Sequence, residues 1–222
     1  HEFLVGLSLD GPRAFHDAYR KDKGGAPTWE RVMEGLALLH HHGVDFNILT
    51  CVHAANEAHP LATYRFLRDE ARAKFIQFIP VVERGGAAIG SGTRRPDAGP
   101  RSVSPGGYGS FLAAIFDEWL VHDVGSVYVQ VFDVALAAWT GNPPGLCVFE
   151  QTCVRALALE HNGDLYACDH FVDTDHRLGN VVDASLARMV DSQQQLRFGT
   201  DKLDRLPRMC LDCEVRFVCN GE

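Results

Sequence analysis

Residues 44–52, VDFNILTCV, carry the reading of the fold. Apolar residues fall on both parities of this run. A strand covered on one face alternates, whereas a strand covered on both faces reads as nearly continuous apolar sequence. Two runs of the same texture flank it, EFLVGLS at 2–8 and KFIQFIPVV at 74–82. Between them, APTWERVMEGLALLHHHG (26–43) and HPLATYRFLRDE (59–70) read as helices. In the first, Thr28 is placed to cap the start, Val32, Met33, Leu36 and Leu39 form an apolar stripe, and Gly43 marks the end. Pro60 suits the first turn of the second. The order β-α-β-α-β predicts parallel strands under helical cover, an α/β fold. A barrel and a doubly wound sheet both fit this order. In either, chemistry gathers where the strands end, at SLDG (8–11), TCVH (50–53) and PVVER (80–84).

The remaining composition narrows the class of protein. The chain has 222 residues, of which 46% are hydrophobic and 23% charged, enough for a sizeable core. A net charge of −8 argues against nucleic acid or an anionic membrane as the main partner. No apolar run approaches the roughly 20 residues of a membrane span. The chain begins without an initiator Met and inside a strand-like run, so a cut through a longer protein is expected at this end and at the other.

Residues 85–109, rich in Gly, Ser, Pro and Arg, read as a loop. GSGTRR (90–95) lacks the Gly-Lys-Ser/Thr ending of a phosphate-binding P-loop. Beyond it, YGSFLAAIFDEWLVH (108–122) reads as a helix, SVYVQVF (126–132) as a strand and DVALAAWTG (133–141) as a short helix. The texture then changes. RALALEHNGDLYACD (155–169) is two short alternating runs around a tight-turn sequence, a hairpin signal that places Cys168 and Asp169 at the end of its second strand. SLARMVDSQQQLRFG (185–199) reads as one helix.

Six of the seven cysteines lie in this last third: Cys147, Cys153, Cys168, Cys210, Cys213 and Cys219. Three readings compete. A disulfide scaffold is disfavoured, because such scaffolds are short secreted chains and a long cysteine-poor α/β portion precedes this cluster. Structural zinc uses C-x2-C pairs such as Cys210 and Cys213. Iron–sulfur ligation accommodates the wider gap to Cys219 and the irregular upstream trio, and spacing leans to it. Cys51, in the strand-like FNILTCVH, reads as a small buried apolar residue. His40, His41 and His42 read as the last turn of a helix rather than as metal ligands. His53, His59 and His161 show no partner pattern.

Taken together, CVFEQTC, ALALEHNGDLYACDHF, RLGNV and LPRMCLDCEVRFVCNGE resemble the SPASM domain of radical S-adenosylmethionine enzymes, and most closely that of the anaerobic sulfatase-maturating enzymes. LSLDGPRAFHDAYRKDKGG, HGVDFNILT and FIQFIPVVER resemble the later strands of that family's partial (β/α)6 barrel. The resemblance implies the C-terminal half of such a barrel over 1–105, a connecting helical segment over 106–146, and a cysteine-rich SPASM domain with a β-hairpin over 147–222. It implies two auxiliary [4Fe-4S] clusters, with Cys147, Cys153 and Cys168 as ligands of the first and Cys210, Cys213 and Cys219 of the second. Further ligands are expected beyond Glu222, and the C-x3-C-x2-C motif of the radical-forming cluster is expected upstream.

By the same resemblance, the parent cleaves S-adenosylmethionine to a 5′-deoxyadenosyl radical and converts a cysteine or serine of a sulfatase to Cα-formylglycine. Asp169 matches the family's proton acceptor. Ser8 and Arg20 match positions that contact S-adenosylmethionine, and Val81 lies near a backbone contact to the same ligand. The implied partners are the sulfatase polypeptide and an electron donor such as flavodoxin or ferredoxin, in the cytoplasm. Two alternatives remain open: another SPASM enzyme that modifies a different peptide, and a zinc-binding interaction module.

Overall fold

The computed structural model describes residues 3–83, 99–153 and 155–221. It divides into two compact units, 1–133 and 134–222.

The first unit is built on a four-stranded parallel sheet in the order β1-β2-β3-β4. β1 (Val5–Ser8) leads to the helices α1 (Arg13–Tyr19) and α2 (Trp29–His41). β2 (Phe46–Val52) follows, then α3 (Pro60–Arg65), which runs into a single π-helical turn, Phe66–Glu70. β3 (Phe75–Pro80), the long α4 (Pro105–His122) and β4 (Tyr128–Val129) complete the unit, and α5 (Gln130–Trp139) begins in it. Ile48, Thr50 and Val52 of β2 are buried, as are Ile76 and Phe78 of β3. The apolar ones join Leu9, Tyr64, Leu67, Phe111, Ile115 and Trp119 in one core, while the Thr50 hydroxyl donates to the Leu9 carbonyl. Each fully buried aliphatic or aromatic side chain of this kind contributes about 1.5–3 kcal/mol.

The three parallel strands and their helical cover are as expected, with instructive differences in detail. Thr28 does stand before α2, but its side chain makes no capping bond. The carboxylate of Asp17 accepts the N–H groups of Thr28 and Trp29 instead, both at 3.0 Å. The predicted helix over 59–70 changes to π geometry at Phe66, which carries its chain to the left-handed Arg72. α4 starts three residues earlier than its apolar stripe, because Ser104 caps it by accepting from the Gly107 N–H at 3.0 Å. The loop expected at 85–109 therefore ends at Ser104, and GSGTRR lies outside the described residues. SVYVQVF pairs with the sheet over two residues only, then turns helical at Gln130.

The second unit carries a three-stranded antiparallel sheet: β5 (Ala158–Leu159), β6 (Asp164–Tyr166) and β7 (Arg177–Asn180). The hairpin lies where the HNGD sequence places it. Gly163 adopts φ +87°, a conformation that side chains rarely tolerate. Four helices follow: α6 (Leu186–Val190), α7 (Gln193–Asp204), α8 (Arg208–Leu211) and α9 (Arg216–Cys219). The single helix expected over 185–199 is two, because Ser192 caps a fresh start by accepting from the Gln195 N–H. No helix among the described residues is long and apolar enough to cross a membrane.

Candidate functional site

Because the strands of the first unit are parallel, their carboxyl ends fall on one edge of the sheet. Ser8 ends β1 there and is exposed. Two residues on, Asp10 turns inward and is 1% exposed. Its carboxylate takes the Arg20 guanidinium through two bonds, Nε to Oδ2 at 2.6 Å and Nη2 to Oδ1 at 3.0 Å. Oδ1 also accepts the Cys51 N–H at 2.8 Å, which ties β1 to the end of β2. The Asp10 N–H donates to His16 Nδ1 at 3.3 Å, and Asn56 Nδ2 donates to the carbonyls of Asp10 and Cys51. Arg20 is held in a fixed orientation, with Nη2 also donating to the Cys51 sulfur at 3.3 Å. Among the described residues, Nη1 makes no hydrogen bond to protein.

The titratable groups around Asp10 are kept in definite states. Burial pushes the His16 and His53 imidazoles below their ordinary range, against the pull of Asp10. Burial pushes the Cys51 thiol up, and the Asp10 charge adds to this. His53 Nδ1 accepts from the Ala55 N–H, so its proton sits on Nε2, which has no hydrogen-bond partner and faces Asp10 Oδ2 at 3.9 Å. Val81, just past β3, uses both backbone groups: its N–H donates to Val52 and its carbonyl accepts from Val103.

Sequence reasoning placed chemistry at SLDG and TCVH but read Cys51 as a small buried apolar residue and found no partner pattern for His53. In the structure Asp10, Cys51 and His53 share one polar cluster with Arg20. The available signal was position: each lies at the carboxyl end of a parallel strand.

In the second unit, the predicted ligands are spread over the connection between α5 and β5, the segment after β6 and the short helices α8 and α9 with the turn between them. Cys147 opens a 3-10 turn (Cys147–Phe149), Cys153 lies in the segment after it, and Cys168 follows β6. All three are half-buried. Cys153 lies near enough to Cys168 to act on it electrostatically. Burial is the main influence pushing the Cys168 thiol up, with Asp169 and Cys153 adding. The Cys168 thiol donates to Asp169 Oδ1 at 3.4 Å, and the His170 N–H reaches the sulfur at 3.5 Å. Asp169 and His170 are exposed. The Cys168 thiol, an Asp169 oxygen and a His170 ring nitrogen all lie within 4.8 Å of one another.

Cys210 and Cys213 share one tight turn, with the Cys213 N–H donating to the Cys210 carbonyl at 3.3 Å. Asn220, left-handed at φ 50°, ends the helix of Cys219 and donates through Nδ2 to the Phe149 carbonyl, two residues from Cys147. No disulfide is present among the described residues. A cleft of about 500 Å3 opens beside Cys153, between Thr152 and Arg155 on one side and Gln195, Gly199 and Thr200 on the other. Thiols half-buried at five of the six positions, with Cys213 exposed, and a cleft beside Cys153 make a donor set that fits a sulfur-ligated cluster.

The class follows from this region. Residues 147–214 match the SPASM family model, described as an iron–sulfur cluster-binding domain. Over its entire length the chain is also similar to proteins of one kind. It is 43% identical to the serine-type anaerobic sulfatase-maturating enzyme of Bacteroides thetaiotaomicron and 38% identical to that of Klebsiella pneumoniae, covering 55% and 53% of them. It is 28% identical to a cysteine-type enzyme of Clostridium novyi, covering 57%. A solved structure, native anSMEcpe with bound AdoMet and Cp18Cys peptide, superposes with a TM-score of 0.83 at 27% identity, over 99% of this chain and 59% of that one. The chain is thus similar along its whole length to anaerobic sulfatase-maturating enzymes, and it spans a little over half the length of these relatives. That solved structure holds AdoMet, and the portion it shares with this chain includes the parallel sheet and the residues that match the iron–sulfur cluster-binding domain.

Proposed function

We propose that the protein carrying this chain oxidises a side chain of a sulfatase polypeptide to Cα-formylglycine. The observation that carries the proposal is the exposed Asp169 carboxylate standing directly beside the half-buried Cys168 thiol, inside a cluster-binding domain. The bound clusters and S-adenosylmethionine supply single-electron chemistry and removal of the hydrogen atom. The chain's own residues do the rest.

Oxidising a CH2–OH group to an aldehyde removes one hydrogen atom, one proton and one electron. Asp169 takes the proton through a carboxylate oxygen; a hydroxyl gives it up readily once its carbon has lost a hydrogen atom, if a base lies within hydrogen-bond reach. Cys147, Cys153 and Cys168 would hold one cluster and Cys210, Cys213 and Cys219 another, and such clusters would supply an acceptor for the electron. Ser8 and Arg20 hold S-adenosylmethionine, Arg20 through the face of its guanidinium turned away from Asp10, and Val81 borders the same ligand. In this reading, 1–105 carries the S-adenosylmethionine contacts, 106–146 connects, and 147–222 houses the clusters.

Greater identity to the serine-type than to the cysteine-type enzymes supports serine as the target residue. A cytoplasmic setting and a flavodoxin or ferredoxin as electron donor complete the proposal. Asp169→Asn tests the base. S-adenosylmethionine cleavage should continue while aldehyde formation falls at least about a hundredfold, the usual scale of a lost general base. An unchanged aldehyde yield by mass spectrometry would remove Asp169 from the reaction.

A further inference from the structure

The three cysteines of the first ligand set come from two loops that no strand pairing brings into register: Cys147 and Cys153 from the connection between α5 and β5, Cys168 from the segment after β6. One helix touches the backbone at or beside all three. At its start, Gln195 is 3% exposed and donates through Nε2 to the Ala167 carbonyl at 3.2 Å, one residue before Cys168. One turn on, the Gly199 carbonyl accepts the Cys153 N–H at 2.9 Å. A further turn on, the Lys202 ammonium donates to the Val148 carbonyl, one residue after Cys147.

The spacing 195, 199, 202 is i, i+4, i+7, which is a single helix face spanning about 10 Å. Gly199 itself is evidence of close approach. A Cβ there would stand 2.8 Å from the Cys153 carbonyl oxygen. A glycine inside a helix costs about 1 kcal/mol relative to alanine, so its place here has a physical reason. A helix held only by apolar burial would not need three polar contacts, each on the backbone beside a different cysteine.

We propose that α7 is the positioning element of the first auxiliary cluster, with Gln195, Gly199 and Lys202 each fixing the backbone beside one cysteine. This rests on the reading that Cys147, Cys153 and Cys168 ligate that cluster. Thiolates carried on two separate loops would need a common alignment to hold one cluster. A capped helix contacting both supplies that alignment.

The test uses the full-length holoprotein, reconstituted anaerobically, with iron and sulfide content and the paramagnetic resonance of the reduced clusters as readouts. Cys153→Ala should lose the signal of one auxiliary cluster, which checks the underlying ligand reading. Gly199→Val and Gln195→Leu should lose or shift that same signal while the other auxiliary signal stays. Lys202→Met should shift it, and Lys202→Arg, which keeps a donor, should restore it. Asp204→Asn, at the exposed end of the helix, should change nothing. The Lys202 pair keeps the test decisive should Gly199→Val fail to fold. If Cys153→Ala loses its cluster while every α7 variant keeps native content and spectra, the positioning role is wrong. If Cys153→Ala keeps the cluster, the ligand reading falls first and the helix proposal with it.

Discussion

Asp10 carries one charge and satisfies three donors: two from Arg20 and the Cys51 N–H. Buried carboxylates persist where they are paired and hydrogen-bonded in this way. The consequence falls on Arg20, whose planar fork is fixed on one edge and presents its other edge outward. Arg20→Lys would keep the charge but lose the fork, a substitution that is not conservative at a bidentate site. On the proposed role, S-adenosylmethionine binding by Arg20→Lys should weaken about tenfold or more, measured by equilibrium titration, since a hydrogen bond to a charged group is worth roughly 1.5–3 kcal/mol. Unaltered affinity would separate Arg20 from the ligand and leave it a structural partner of Asp10.

Among the elements, the hairpin shows how side chains fix a turn. Asp164 is held at about 2, first by the hydrogen bond from Arg177 and then by that from Asn180. A carboxyl depressed in the folded state binds its proton more weakly there than when unfolded. Its stabilising effect is therefore full above about pH 4 and is lost as the pH falls through about 2. Amide exchange in β6 and β7 should accelerate over that window, and Asp164→Asn should flatten the acid dependence. An identical pH profile in the variant would place the acid sensitivity elsewhere.

The hairpin was legible because HNGD is a local signal, needing only its own turn geometry. The parallel strands were legible for a related reason, since burial on both faces leaves its mark in every residue of the run. The brief β4 and the break at Ser192 were not, because each depends on a partner distant in sequence or on one competing cap. The contacts of α7 were invisible for the same reason. Gln195, Gly199 and Lys202 look ordinary in a helix until the loops they hold are placed against them.

At the scale of the molecule, the chain joins two kinds of order. One unit is a parallel α/β sheet with a single apolar core. The other is a small, loop-rich unit whose regular strands are short and whose cysteines lie on loops, turns and short helices. The iron–sulfur domain over 147–214 was legible because several thiolates at irregular spacing have few other uses. The polar cluster at Asp10 was not, because a buried charge and a turn aspartate look alike before the fold is known.

The central claim concerns the product. Full-length protein, S-adenosylmethionine, a low-potential reductant and a serine-containing sulfatase peptide should be incubated without oxygen, and the peptide then captured with a hydrazide and sequenced by mass spectrometry. The account predicts an aldehyde at the target serine, formed with 5′-deoxyadenosine in step. Cleavage of S-adenosylmethionine with an unmodified peptide, whether serine or cysteine stands at the target, would contradict it.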